Sequence, residues 1–151
     1  MNNELLTPSL DNDEIQKLKS YDISQLFIVA FFGGIIPTVI LGYINMKWLK
    51  INKKVIVLSI ILGVLLLASK VCLVTLYYTE VIDLTQRSVR LISKIGAVVL
   101  YGFYYLLMKS KFRLYQLFYN ETEPLLKPAI KWIIFGIIVE VIFLSVGRSF
   151  A

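Results

Sequence analysis

The chain has no histidine and a single cysteine, Cys72. Without histidine it lacks the commonest general base and the commonest metal ligand, so a His-based catalytic triad or zinc site is excluded. One cysteine makes no intramolecular disulfide and no thiolate metal site. Charge is sparse, at 17% of 151 residues. A secretory leader pattern is also missing. Residues 1–22 carry Glu4, Asp11, Asp13, Glu14 and Asp22 against Lys17 and Lys19, where a signal peptide needs a basic start and an early apolar stretch.

Apolar residues fill the space that charge leaves. They make up 58% of the chain, and the mean hydropathy is +0.74, whereas a soluble domain sits near 45–50% apolar. The excess points to lipid as the solvent. The net charge of +6 is no nucleic-acid footprint, because the basic residues lie beside apolar runs, where anionic head groups account for them.

Residues 1–22 read as an acidic polar tail, with Ser9 after Pro8 placed to cap a short surface helix. Four apolar runs follow, at about 23–44, 55–78, 89–108 and 129–146. Each is near the ~20 residues that a helix needs to cross the hydrocarbon core. The runs are continuous rather than alternating, so they are helices. The fold expected is all-α, an integral membrane bundle of four transmembrane helices, formed by residues 23–151.

The connections set the expected orientation. Lys47, Lys50, Lys53 and Lys54 follow the first run; Lys109, Lys111, Arg113 and Lys127 follow the third. The intervening connection balances Arg87 and Arg90 against Glu80 and Asp83. Basic loops face the cytoplasm, which places both termini of a four-span chain on the non-cytoplasmic side of a cell membrane. The 109–128 connection is amphipathic through Phe112, Tyr115, Leu117, Phe118 and Tyr119. It either extends the third helix or lies at the interface before Pro124 and Pro128.

Three charges fall inside the runs: Lys70, Lys94 and Glu140. Such charges are costly and mark a site or a structural pair. Lys94 is near the end of its helix and is expected to snorkel to the head groups. Lys70 precedes Tyr78 by eight residues, and Glu140 precedes Arg148 by eight. At ~1.5 Å per residue both sit roughly 12 Å below the same membrane face. An intramembrane Lys70–Glu140 ion pair between the second and fourth helices follows. It serves either to fix helix neighbours or as a relay or substrate contact.

The first run contains FFGGIIPTVILGYIN. Read as one helix, it places Ala30, Gly34, Thr38 and Gly42 at four-residue steps, and Gly33 widens that stripe. Small-residue stripes let helix backbones approach closely in lipid. Pro37 removes the amide that would bond to the Gly33 carbonyl, so a bend is expected there. Gly33-Gly34 is no phosphate loop, since no strand precedes it and no Lys-Ser/Thr follows it. Ser59, Ser69, Thr75, Ser93 and Ser145 have no recognisable base beside them. Hydroxyls in such runs bond to the i−4 carbonyl or across helices. Asn120-Glu121-Thr122 matches a glycosylation acceptor, but on the side expected to be cytoplasmic.

Phe32, Gly33, Gly34, Gly42, Asn45, Lys47 and Leu49, with Trp132 opening the last run, resemble an uncharacterised family of small bacterial multi-spanning membrane proteins. In that family a Gly-Gly first span ends in Asn-x-Lys/Arg. The chain departs from the pattern in having Pro37 three residues after Gly34, where the similar proteins often have Pro directly after the pair. The resemblance implies a bacterial multi-span membrane protein and supplies no activity.

No cofactor motif is present, and no catalytic set; the expectation is a protein that is not an enzyme. Its partners are then the lipid bilayer, another membrane protein or itself. The function expected is that of an accessory or interaction protein, of the immunity or assembly-partner kind; the alternative is a small transporter or channel subunit using Lys70 and Glu140.

Overall fold

A computed structural model of the protein describes residues 19–118 and 121–149; the expected tail helix after Pro8 and the acceptor Asn120 lie outside them. The described residues form five α-helices: α1 (Gln25–Gly33), α2 (Ile35–Trp48), α3 (Lys53–Tyr78), α4 (Gln86–Phe118) and α5 (Leu126–Ser149). The fold is all-α.

Two helices, α3 and α4, are long and apolar enough to cross a membrane. Much of their apolar surface points outward: Val57, Leu58, Ile61 and Leu65 on α3, and Ile95, Val99 and Leu106 on α4, are exposed. Apolar exposure on this scale marks a surface that meets lipid or another protein. Starts are set locally. The Asn52 side chain accepts from the Lys54 amide, at 3.0 Å, to open α3, and the Thr85 hydroxyl accepts from Ser88 to open α4. The inward face of α4 recurs at helical spacing through Ala97, Leu100, Tyr104, Met108, Phe112 and Tyr115. The amphipathic residues 109–118 therefore continue the third helix. Pro128 does not break the last one; it lies in the first turn of α5, where no amide is needed.

The first apolar run is not one helix. The chain breaks at Gly34, with φ 78° and ψ −160°, and turns back on itself, so α1 and α2 pack as an antiparallel hairpin. Its two ends meet. The Tyr21 amide donates to Asn45 Oδ1 at 2.8 Å, and the Ser20 hydroxyl donates to the same oxygen at 3.1 Å. The Tyr21 and Trp48 rings lie 4.7 Å apart. A straight helix over 23–44 would separate these ends by about 33 Å. The expectations of one span at 23–44 and of a bend at Pro37 are both corrected. Gly34 occupies a backbone region essentially reserved for glycine, and Pro37 sits in the first turn of α2, where it initiates rather than kinks a helix.

The hairpin root also holds the α4–α5 connection. The Glu123 amide donates to the Ser20 carbonyl at 2.9 Å, and Lys19 pairs with Glu123 at 3.1 Å. The Tyr115 hydroxyl donates to the Glu121 carbonyl at 2.7 Å. Burial, and secondarily the Glu123 charge, raise the Tyr21 hydroxyl above its ordinary pKa of 10.0. Thus residues 19–24 and the α2–α3 and α4–α5 connections share one end of the molecule. The basic residues Lys47, Lys50, Lys53, Lys54, Lys109, Lys111 and Arg113 cluster at that end, and the α3–α4 connection lies at the other.

Candidate functional site

The hairpin is short. The 14 residues of α2 reach about 21 Å, whereas the 26 of α3 reach about 39 Å. In the basic half of the molecule the hairpin fills the space between α4 and α5, touching both. Beyond Gly34 nothing continues it. Among the described residues α4 and α5 do not approach each other directly. The result is a chamber of about 610 Å³ on top of the hairpin tip, reaching Tyr77, Tyr78 and Gln86 at the end that carries the α3–α4 connection.

The chamber floor is Phe31, Phe32, Gly33 and Gly34; its walls include Lys70 and Val74 from α3, Arg90, Ser93 and Lys94 from α4, and Ile137 and Glu140 from α5. Lys70 Nζ donates to Glu140 Oε1 at 2.5 Å, so α3 and α5 are joined where the sequence places the pair. Neither group is sealed, as their side chains keep 20% and 30% exposure. A Cβ on Gly34 would lie 3.2 Å from Glu140 Oε1, so the carboxylate rests directly on the hairpin turn. Lys94, expected to reach only for head groups, also lines the chamber, with its ammonium 5.0 Å from the Phe31 ring centroid.

The lining has one sign in excess. Lys70, Arg90 and Lys94 give three positive charges and Glu140 one negative, a balance of +2. The hairpin turn meets the chamber at Gly33 and Gly34, and α2 begins there without a side-chain cap. The two helix dipoles oppose each other, so the side chains set the sign of the field.

Below the tip the molecule is closed by contact between small and large residues. A Cβ at Gly42 would lie 2.7 Å from the Tyr104 ring, one at Gly63 2.5 Å from Val39, and one at Gly136 2.9 Å from Pro37. Tyr104 is buried and its hydroxyl donates to the Ser59 carbonyl at 3.4 Å. The packing residues named from the sequence are therefore divided. Gly42 receives α4, while Gly33 and Pro37 receive α5. Ala30 is buried on α1, and the Thr38 hydroxyl donates to the Gly34 carbonyl at 2.7 Å. They form no single stripe, because the turn at Gly34 separates Ala30 and Gly33 on α1 from Pro37, Thr38 and Gly42 on α2.

Hydroxyls inside the helices bond to backbone: Ser69 to Leu65 at 2.9 Å, Thr75 to Val71 at 3.0 Å, and Ser93 to Val89 at 2.9 Å. Among the described residues no group of three metal-binding side chains comes together. Cys72 is exposed. Sequence reasoning missed Arg90 as a chamber residue, Gly63 and Gly136 as contact points, and Asn45 as the clasp of the hairpin. Only Asn45 carried a signal: an amide inside an apolar run needs partners. No protein family, no curated protein and no solved structure matches the chain.

Proposed function

We propose that the chain is an integral membrane protein that binds a charged solute in a chamber facing the non-cytoplasmic side, as a small transporter or channel subunit. In this arrangement α3, α4 and α5 cross the bilayer, and the α1–α2 hairpin re-enters from the cytoplasmic face. The basic end is cytoplasmic by the positive-inside rule. The chain then enters the bundle at Lys19 from the cytoplasm and leaves through α5 on the opposite side, in place of two outward termini. One observation carries the proposal: a hairpin of half-helices stops at the Lys70–Glu140 pair and leaves above it a chamber whose walls carry Lys70, Arg90, Lys94 and Glu140. Interrupted helices with polar backbone at mid-membrane depth characterise solute sites in transporters. The packed half below the tip keeps the route to the cytoplasm closed, so the conformation is the outward-open one.

Substituted-cysteine labelling tests this. In a Cys72→Ser background, Ser93→Cys reacts with a charged, membrane-impermeant thiosulfonate added from the non-cytoplasmic side, and Ser59→Cys, below the tip, does not. Protection of Ser93→Cys from that reagent, both in cells and after purification, would refute the chamber.

A second function is favoured by the exposure of Phe32, 71% at the hairpin tip. The chamber has the position of an absent half-helix and would seat one from a partner membrane protein, which makes the chain an accessory protein. In that case Ser93→Cys is shielded in cells and reactive once purified.

A further inference from the structure

The walls of the chamber divide by chemistry. Resting on the chamber reading above, we propose that its ligand is an anionic amphiphile, whose phosphate or carboxylate head lies among Arg90, Lys94 and Lys70 while its alkyl chain leaves between α4 and α5 into the outer leaflet.

The head-group side follows from charge. Three cations and one carboxylate line the space, and that carboxylate already holds Lys70. Arg90 and Lys94 stand four residues apart, hence on one face of α4. An arginine presents a planar fork suited to two oxygens of one acidic group. Glu80, Asp83 and Arg87 belong to the α3–α4 connection or its edge, outside the lining, and leave the +2 balance of the chamber unchanged.

The tail side follows from topology. In the basic half, α1 and α2 separate α4 from α5; above Gly34 that filling ends, and α4 and α5 do not meet among the described residues. The gap so created is flanked by apolar surface. Phe32 at the tip and Ile137 on α5 are both more than half exposed and both border the chamber. A free inorganic anion would use the cations and leave this gap open to hydrocarbon beside a wet, charged space. An amphiphile satisfies both parts, with polar groups on the cations and methylenes in the gap, at about 0.8 kcal/mol per buried CH₂. The volume of about 610 Å³ falls within the range of about 300–1,000 Å³ usual for small-molecule sites.

The experiment uses the full chain purified in dodecyl maltoside, with thermal unfolding as the readout. Dodecyl phosphate should raise the melting temperature; inorganic phosphate and the uncharged dodecyl octaethylene glycol ether should not. Arg90→Gln with Lys94→Gln should weaken the dodecyl phosphate effect by at least about tenfold in concentration, as expected for two lost charge-assisted contacts. Arg90→Lys with Lys94→Arg should retain it, which separates lost charge from lost folding. The same assay in phosphatidylcholine nanodiscs, with and without phosphatidylglycerol, identifies the source. Protection by phosphatidylglycerol assigns the site to a bilayer lipid, and protection by dodecyl phosphate alone assigns it to a free single-chain amphiphile. Equal protection by inorganic phosphate, or equal protection by the uncharged ether, would overturn the proposal. In either case Ser93→Cys still reacts with the impermeant reagent, so the chamber survives while its ligand class falls.

Discussion

At Gly34 a single residue decides the architecture. Its φ of 78° with ψ of −160° is a conformation that side chains other than hydrogen strongly disfavour, and a Cβ there would press on the Glu140 carboxylate. Gly34→Ala is expected to cost about 1–3 kcal/mol, seen as a lower melting temperature in neutral detergent. Gly96 has open space around it, and Gly96→Ala should leave melting unchanged or raise it slightly, since alanine favours helix by up to about 1 kcal/mol. The Lys70–Glu140 pair belongs to the same scale. Glu140→Gln leaves the Lys70 cation without its counter-charge. The loss should stay below the about 3–5 kcal/mol of a fully buried pair, because both groups keep contact with the chamber. The reversal Lys70→Glu with Glu140→Lys should recover part of it. A double-mutant cycle on melting measures the recovery, and additive losses would remove the pair from the account.

At the scale of elements, the hairpin depends on its clasp. Asn45 is buried, and its oxygen accepts from both the Tyr21 amide and the Ser20 hydroxyl. Asn45→Ala strands those donors, at about 1–3 kcal/mol for buried groups, and limited proteolysis should then cut first near residues 19–24. Tyr21 adds a pH dependence. Its hydroxyl pKa is raised in the fold, so its contribution is complete below the unfolded value of 10.0 and is lost as pH rises through the folded one. The same proteolysis, run at rising alkaline pH, should show the clasp loosening, and Tyr21→Phe should abolish that trend.

The helices themselves were legible in the sequence. Runs at 55–78, 89–108 and 129–146 fall within α3, α4 and α5, because continuous apolarity at that length leaves few other structures. Lys70 and Glu140 were legible as partners from depth and sign alone. The fold-back at Gly34 was not. Residues 31–44 carry no charge and are apolar apart from Thr38 and the Tyr43 hydroxyl, and nothing in their hydropathy distinguishes a span from two half-helices. The discriminating features were Gly34, Pro37 three residues later at a helix-initiating position, and Asn45, whose partners lie 24 and 25 residues away. Local patterns do not contain contacts of that separation. Arg90 counted only as a charge of the α3–α4 connection for the same reason: the absence that makes it a chamber residue, the outer half of a fourth helix, is a property of the assembled chain.

At the scale of the whole molecule, the fold-back divides the protein into two halves of different character. The basic half is closed by five packed helices, with Tyr104, Leu100, Met108 and Leu41 buried. The other half has three helices around a charged chamber. The packed half fixes the position of the tip, and the tip sets where the chamber ends. Filling the contact points should act on the closed half. Gly42→Leu collides with the Tyr104 ring and should cost about 1–3 kcal/mol, as overpacking does. If the hairpin lifts in response, Ser59→Cys becomes reactive to the impermeant thiosulfonate, whereas in the parent protein it stays protected.

The most direct measurement is the sidedness of the two ends of the first apolar run. In a Cys72→Ser background, Lys19→Cys, Lys47→Cys and Glu80→Cys each place one thiol on an exposed site. Membrane-impermeant maleimide applied to intact cells should label Glu80→Cys and spare both Lys19→Cys and Lys47→Cys, which become reactive together when the membrane is opened. Labelling of Lys19→Cys from outside, with Lys47→Cys protected, would mean that the run crosses the bilayer once, and would contradict the re-entrant hairpin and the chamber built on it.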